Sequence, residues 1–287
     1  MKKIAITTDS NSGISQETAK KMDVFVVPML FTVDSKEYQE GISISYEDFF
    51  RFQEEGRDIK SSQPSPASVI ELWGNLLNEY DEIIHIPMSS ALSGSYDTAA
   101  SLSCDFEGRI FVVDNKRISV TQKQSVRDAK KLSAQGMTGV EIKKILEETA
   151  LDSSIYITVE TLKYLKKGGR ITPAGAAIGE ILNVKPVLQI QGGKIDAYTR
   201  IRGHKKSRQA IINAIQKDML TRFAASAAQK GITLHAAYAG LAEDCESWEQ
   251  ELKEAFPGKD IEMDVLPLNI STHVGRGAIG IALTVNI

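Results

Sequence analysis

The sequence contains only two cysteines, Cys104 and Cys245, in 287 residues. Two thiols are too few for the disulfide framework of a small secreted domain, so they favour a reducing compartment. No apolar run approaches the length that spans a membrane. The apolar start of the chain is interrupted at Thr7-Thr8-Asp9, too early for a signal peptide. We therefore expect a cytoplasmic protein without an integral membrane segment.

Neither sign of charge dominates the chain, since 34 Lys and Arg face 37 Asp and Glu. This balance gives no reason to expect nucleic acid as a partner. Histidine is scarce as well: there are four, at positions 85, 204, 235 and 273, and none lies beside a second metal ligand. Because metal sites need clustered ligands at characteristic spacing, we predict no bound metal.

Several catalytic and nucleotide-binding motifs are missing. The chain has no Walker A loop, and Leu92-Ser93-Gly94-Ser95 lacks the first glycine of a G-x-S-x-G elbow. Residues 275–280 match G-x-G-x-x-G, but only seven residues follow, too few for a dinucleotide-binding unit. A serine-dependent small-molecule hydrolase or transferase that uses Ser93 with His273 remains an alternative, although no spacing requires that pair.

Short apolar stretches alternate with helical patterns up to about residue 155. Strands are predicted over 4–8, 24–27, 83–86 and 110–113, with 29–33 continuing the second. Helices are predicted over 15–21, 46–55, 68–78, 95–102, 122–135 and 139–149. This βαβα order predicts an α/β fold whose N-terminal sheet is mostly parallel, with helices on both faces. The N-terminal domain is expected to comprise residues 1–155.

Residues 156–287 have a different pattern. The stretches 187–190 and 195–198 flank Gln191-Gly192-Gly193-Lys194, which predicts a β-hairpin. Further helices are predicted over 159–166, 173–182, 204–223 and 245–256, and strands over 233–238, 261–267 and 281–285. We predict a smaller C-terminal α+β domain with a mixed sheet.

The segment Met88-Ser89-Ser90-Ala91-Leu92-Ser93-Gly94-Ser95-Tyr96 follows a buried strand and leads into a helix. Hydroxyl groups and backbone N–H groups at the carboxyl end of a parallel strand suit an anionic ligand. An ordinary strand-to-helix turn rich in capping residues is the alternative. His273 lies in a polar stretch, 269–273, that we expect to be a turn, and its imidazole is suited to donate to a carboxylate.

Basic residues cluster at 166–170 and again at 200–208. Such clusters are usually solvated faces, but the second is dense enough for a docking surface or an anion site. The apolar segments 174–182 and 279–283 are typical of a core and are equally compatible with the wall of a tunnel.

Taken together, six segments resemble the DegV family, bacterial fatty-acid-binding proteins that include the binding subunit of fatty acid kinase. The six segments, which span most of the chain, are Thr8-Asp9-Ser10, Lys60-Ser61-Ser62-Gln63-Pro64-Ser65-Pro66, Ser89-Ser90-Ala91-Leu92-Ser93-Gly94-Ser95-Tyr96, Leu165-Lys166-Lys167-Gly168-Gly169-Arg170-Ile171, Lys185-Pro186-Val187-Leu188 and His273-Val274-Gly275.

The resemblance implies a long-chain fatty acid in a tunnel between the two domains and no other cofactor. Its carboxylate would be bound by Ser61, Ser93 and His273, with Ser62, Gly94 and Ser95 beside them. The position of Ser61 is usually Thr in the family. Serine keeps the hydroxyl but lacks the methyl group that restricts the rotamer.

The resemblance also implies a partner. A separate ATP-dependent kinase subunit would phosphorylate the bound acid to an acyl phosphate for phospholipid synthesis. The chain itself would then be a lipid-binding subunit without catalytic residues. The basic side chains that would dock the kinase or support the head group are Arg170, Arg202, Lys205 and Lys206.

Overall fold

The computed structural model describes residues 2–177 and 184–287. The chain forms two compact units. The first consists of Met1–Ser45 and Arg57–Leu151, and the second of Tyr46–Gly56 and Asp152–Ile287. The segment 46–56 therefore belongs to the second unit, although first-unit segments flank it in the sequence.

The elements up to residue 151 are, in chain order, β1 (Ile4–Asp9), α1 (Gln16–Met22), β2 (Phe25–Val27), β3 (Leu30–Val33), β4 (Lys36–Gln39), α2 (Tyr46–Glu54), β5 (Ile59–Ser62), α3 (Pro66–Leu76), β6 (Glu82–Ile86), α4 (Ser95–Ser103), β7 (Ile110–Val112), α5 (Val120–Ala134) and α6 (Gly139–Glu148). Several helices begin at a capping side chain of the kind that satisfies exposed backbone N–H groups. Ser15 caps α1, Ser65 caps α3 ahead of Pro66, and Thr138 forms a capping box with Glu141 at α6.

The first unit contains a parallel sheet with strand order β2-β1-β6-β7. All residues of β1 and β6 are buried, as expected for central strands covered on both faces. Trp73 of α3 is fully buried and meets the ring of His85 edge to face, with centroids 5.2 Å apart. Helices α5 and α6 pack against the same strands.

A second, antiparallel sheet of the first unit has the order β4-β3-β5. The sequence does not predict this sheet, because Lys36–Gln39 lacks an apolar pattern. In the structure this strand is largely exposed. Residues 30–33 form its middle strand, so the prediction that residues 29–33 continue β2 is wrong.

The elements of the second half are β8 (Ser153–Thr158), α7 (Lys163–Gly168), α8 (Pro173–Ala176), β9 (Val184–Ile190), β10 (Asp196–Arg202), α9 (His204–Leu220), α10 (Ala224–Lys230), β11 (Ile232–Tyr238), α11 (Glu246–Ala255), β12 (Ile261–Val265), α12 (Leu268–Val274) and β13 (Ile279–Val285). Their sheet has the order β10-β9-β8-β13-β11-β12. Among the described strands of this sheet, β11 and β12 pair in parallel and the other pairs are antiparallel, so the sheet is mixed.

The core of the second unit lies between this sheet and helices α9 and α11. Trp248 and Leu252 of α11 pack with Ile211 and Ile215 of α9 against Leu283 of β13. The predicted fold class is confirmed: an α/β chain with a mostly parallel N-terminal sheet and a mixed C-terminal sheet. The hairpin of β9 and β10 is confirmed as well.

Three predicted helices differ from the structure. The helix predicted over 159–166 begins only at Lys163. The helix predicted over 204–223 ends at Leu220, and a separate helix, α10, begins at Ala224 beyond the predicted range. The helix predicted over 173–182 is observed at Pro173–Ala176, and residues 178–182 lie outside the described residues. Among the described residues, no helix combines the length and the apolar character that crossing a membrane requires.

Candidate functional site

The carboxyl edge of the parallel sheet carries a buried aspartate. The order β2-β1-β6-β7 places the reversal of strand order between β1 and β6, and open α/β sheets bind ligands at such a point. Asp9 ends β1 and accepts hydrogen bonds from the backbone N–H of Met88 at 2.8 Å, of Asn11 at 3.0 Å, and from the Gln122 amide at 3.1 Å. It thereby connects the end of β1 to the segment that follows β6.

Burial raises the pKa of Asp9 from 3.8 to about 6, against the lowering effect of its hydrogen bonds. Asp9 is not among the site residues predicted from the sequence. The segment Thr8-Asp9-Ser10 at the end of a strand could have indicated it, but two of the three donors to the carboxylate, Met88 and Gln122, come from distant parts of the chain.

The serine-rich turn after β6 is where the sequence predicts it. The Ser93 hydroxyl lies 2.7 Å from the Ser95 hydroxyl and accepts from the Ser95 backbone N–H at 3.1 Å. Gly94 precedes α4, and no side chain caps this helix end. The N-terminal end of a helix carries partial positive charge, so the turn is a suitable neighbour for an anion.

Ser61 and Ser62 are the last two residues of β5, paired with Phe31 and Leu30 of β3. The sequence of residues 61–66, with its two prolines, predicts a turn that leads into α3. For Ser61 and Ser62 this prediction is wrong, because pairing with β3 extends the strand through both serines. The Gln63 side chain, which follows them, donates to the Thr98 hydroxyl of α4 at 2.9 Å. The first unit thus brings the segment of Ser61 and Ser62 next to the turn of Ser93, Gly94 and Ser95.

His273 lies in helix α12, and the prediction of a turn at 269–273 is wrong. Gly168 and Arg170, both of the second unit, are neighbours of His273. The Gly168 backbone approaches the imidazole so closely that a Cβ built there would lie 2.1 Å from Nδ1. Arg170 donates to the Gly168 carbonyl.

Burial, and then the positive charge of Arg170, lower the pKa of His273 from 6.5 to about 4. The imidazole is therefore neutral at physiological pH and offers one N–H donor. The neutral imidazole of His273 as a donor and the positive charge of Arg170 nearby together favour the binding of an anion.

The remaining basic candidates lie at the junction of β10 and α9. Arg202 ends β10 and is exposed, and so are Lys205 and Lys206 in the first turn of α9. Positive charge is unfavourable at a helix N-terminus, and this turn contains no acidic residue. The stability of α9 therefore does not account for the two lysines in its first turn. Binding of an anionic ligand or partner would account for them.

Across the described stretches 2–177 and 184–287, no group of three or more His, Cys, Asp or Glu side chains is arranged to hold a metal ion. In the first unit, the polar partners of the Ser93 hydroxyl are the hydroxyl and backbone N–H of Ser95, neither of which is a general base.

The similarity of this chain to known proteins extends over almost its whole length. The family model described as "Uncharacterised protein, DegV family" matches residues 3–286. A DegV domain-containing protein of Caldanaerobacter subterraneus is 34% identical over 215 residues, which cover 74% of this chain and 76% of the relative.

Solved structures give the same result. A fatty-acid-binding DegV family protein from Thermus thermophilus is 30% identical, with 99% of both chains covered and a TM-score of 0.87. DegV from Bacillus subtilis, described as a fatty acid binding protein, is 26% identical, with 100% of both chains covered and a TM-score of 0.85. A stearic-acid-binding protein from Eubacterium ventriosum is 25% identical, covering 99% of this chain and 98% of its own, with a TM-score of 0.87. The chain belongs to the DegV family.

Proposed function

We propose that this protein binds a long-chain fatty acid and holds its carboxylate with Ser61, Ser93 and His273, supported by Ser62, Gly94, Ser95 and Arg170. The acyl tail lies in a tunnel between the N-terminal and the C-terminal domain. One observation carries the proposal: the two serine segments are neighbours in the first unit, in a chain that matches a fatty-acid-binding protein over 99% of its length.

The chemistry of the two groups of residues suits a carboxylate. Serine hydroxyls and a neutral imidazole donate hydrogen bonds to a carboxylate without forming a covalent bond to it. Burying the acyl chain contributes about 0.8 kcal/mol per CH₂, so ~15 methylenes contribute roughly 12 kcal/mol before the cost of immobilising the ligand. An unpaired buried carboxylate would cancel much of that gain, and therefore the donors are necessary.

Lipid extracted from the purified protein and analysed by mass spectrometry tests the proposal directly. We expect a long-chain fatty acid in a near one-to-one ratio with the protein. Ser93→Ala and His273→Ala each remove one donor to a charged group, which weakens retention roughly tenfold to a hundredfold. Ser101→Ala on the exposed side of α4 and His204→Ala, whose imidazole is exposed, are the matched controls.

Unchanged retention in both Ser93→Ala and His273→Ala would refute the assignment of the carboxylate site. A protein that carries no lipid and hydrolyses esters through Ser93 would instead favour the hydrolase alternative. Circular dichroism of each variant separates loss of ligand from loss of fold.

We further propose that the bound acid is presented to a separate fatty acid kinase subunit, which converts it to an acyl phosphate for phospholipid synthesis. The exposed cations Arg202, Lys205 and Lys206 form the docking surface. Their position at a helix N-terminus, where cations cost stability, supports a role in binding rather than in folding.

Charge reversal tests the docking surface. The triple variant Arg202→Glu, Lys205→Glu, Lys206→Glu is expected to retain fatty acid as the wild type does and to lose binding to the kinase subunit in a pull-down. The control reverses three exposed lysines of the first unit, Lys20, Lys36 and Lys131. Equal kinase binding by both triple variants would exclude this surface.

A further inference from the structure

The helix that carries His273 has little stability of its own. Helix α12 is only seven residues long, and no side chain caps its N-terminal end. A helix of this length depends on contacts with other elements. One such contact is α7, where Gly168 meets the imidazole, and another is α2.

Gln53 of α2 binds the backbone on both sides of His273. Its amide nitrogen donates to the Ser271 carbonyl at 3.1 Å, and its amide oxygen accepts from the Arg276 backbone N–H at 3.2 Å. Gln53 is only 7% exposed, so water competes little for these two hydrogen bonds. All of these residues belong to the second unit.

Neighbouring contacts fix Gln53 itself in place. Arg276 donates from Nη1 to Glu54 at 3.0 Å, beside Gln53, and from Nε to Asp244 at 2.9 Å. The chain turns at Gly275, where φ is +77° and a Cβ would approach the ring of Tyr164 to 2.7 Å. Helix α2 and the segment 271–276 are thus joined by hydrogen bonds of the Gln53 side chain to the backbone and by the Arg276–Glu54 contact between side chains.

We propose that Gln53 is a positioning residue for His273: its two hydrogen bonds set the orientation in which the imidazole meets the fatty acid carboxylate. The inference rests on the proposed function for its ligand, but the placement of the imidazole can be measured without one. The bonds of Gln53 and Glu54 to Ser271 and Arg276 also join residues 46–56 to the second unit, although first-unit segments flank them in sequence.

A double-mutant cycle with His273 tests the inference. Gln53→Ala removes both hydrogen bonds, and Gln53→Glu keeps the acceptor for Arg276 but loses the donor to Ser271. We expect Gln53→Ala to speed fatty acid release roughly fivefold to tenfold, because the misplaced imidazole weakens its one hydrogen bond to the carboxylate. In a His273→Ala background the same substitution should change release less than twofold, because the residue through which it acts is gone.

Nuclear magnetic resonance of the imidazole supplies the second readout. The ring signals of His273, assigned by their loss in His273→Ala, should shift in both Gln53 variants of the ligand-free protein. Gln216→Ala is the matched control, since the half-buried Gln216 side chain, like that of Gln53, donates to a backbone carbonyl of the second unit, here that of Ala255. It should leave the His273 signals and the release rate unchanged.

Two results would overturn the inference: equal acceleration of release with and without His273, or unmoved ring signals in both Gln53 variants. If His273→Ala leaves retention unchanged, His273 is not part of the carboxylate site, while the ring signals still decide whether Gln53 positions the imidazole. The two failures are therefore distinguishable.

Discussion

His273 packs its imidazole against the backbone of Gly168, so closely that a Cβ at position 168 would lie 2.1 Å from Nδ1. Such a distance is shorter than any tolerated non-bonded contact, and the ring would have to move. The glycine at the end of α7 and the histidine of α12 are 105 residues apart in the sequence, yet each determines what the other position can hold.

We expect Gly168→Ala to displace the imidazole and to weaken fatty acid retention by roughly tenfold, the effect of one lost hydrogen bond to a charged group. Dissociation rates measured with a fluorescent fatty acid check this. Gly74→Ala in α3 is the control, because a Cβ there meets no atom within 4 Å. Retention at the wild-type level in Gly168→Ala would show that the ring can move without losing its function.

The pKa of His273 gives a second prediction. In the ligand-free protein its imidazole should stay neutral from pH 8 to pH 5 and take up a proton only near pH 4, because burial and the charge of Arg170 disfavour the cation. Arg170→Gln removes the charge and should raise this pKa, while burial keeps it below 6.5. Titration of the ring nitrogen shifts measures both values, and an unchanged pKa in Arg170→Gln would place the guanidinium too far away to matter.

Asp9 predicts a specific pH dependence of stability. Its pKa is raised from 3.8 to about 6 in the folded protein, so between these pH values the folded state binds more protons than the unfolded state. The free energy of unfolding contributed by Asp9 therefore falls as the pH rises from 4 to 6, by about 3 kcal/mol at most.

Asp9→Asn removes this titration, and its free energy of unfolding should be flatter over the same range. Urea denaturation at several pH values measures the difference between the two proteins. Parallel curves would mean that Asp9 titrates alike in the folded and unfolded states. The variant is expected to be less stable overall at low pH, because an amide offers one acceptor oxygen where the carboxyl group meets three donors.

Arg117 is a buried cation whose removal should destabilise the first unit. Its guanidinium donates to the Thr149 carbonyl at 2.7 Å and to the Ser125 hydroxyl at 3.1 Å, and its side chain is 1% exposed. Arg117→Met leaves buried acceptors without this donor, which should lower the free energy of unfolding by about 3 kcal/mol or more. Arg57→Met, at an exposed ion pair with Asp34, should cost less than about 1 kcal/mol. Similar thermal shifts for the two variants would contradict the argument.

Local patterns allowed the prediction of most strands and helices, since periodicity and capping are properties of neighbouring residues. The serine turn before α4 was predicted for that reason. The strand of Ser61 and the helix of His273 were missed, because β5 owes its extent to pairing with β3, and α12 has neither a capping side chain nor a strong apolar period. The roles of Asp9 and Gly168 depend on partners far away in the chain, and no spacing indicates them.

By itself the sequence determined the α/β class, the parallel order of the first sheet and the placing of hydroxyl residues where a strand meets a helix, because all three follow from short-range patterns. Only the tertiary structure decided that helix α2 packs with the second unit, that the two serine segments are joined through Gln63 and Thr98, and that burial keeps the imidazole of His273 neutral. These features arise from contacts between residues distant in sequence, and such contacts form only when the chain has folded.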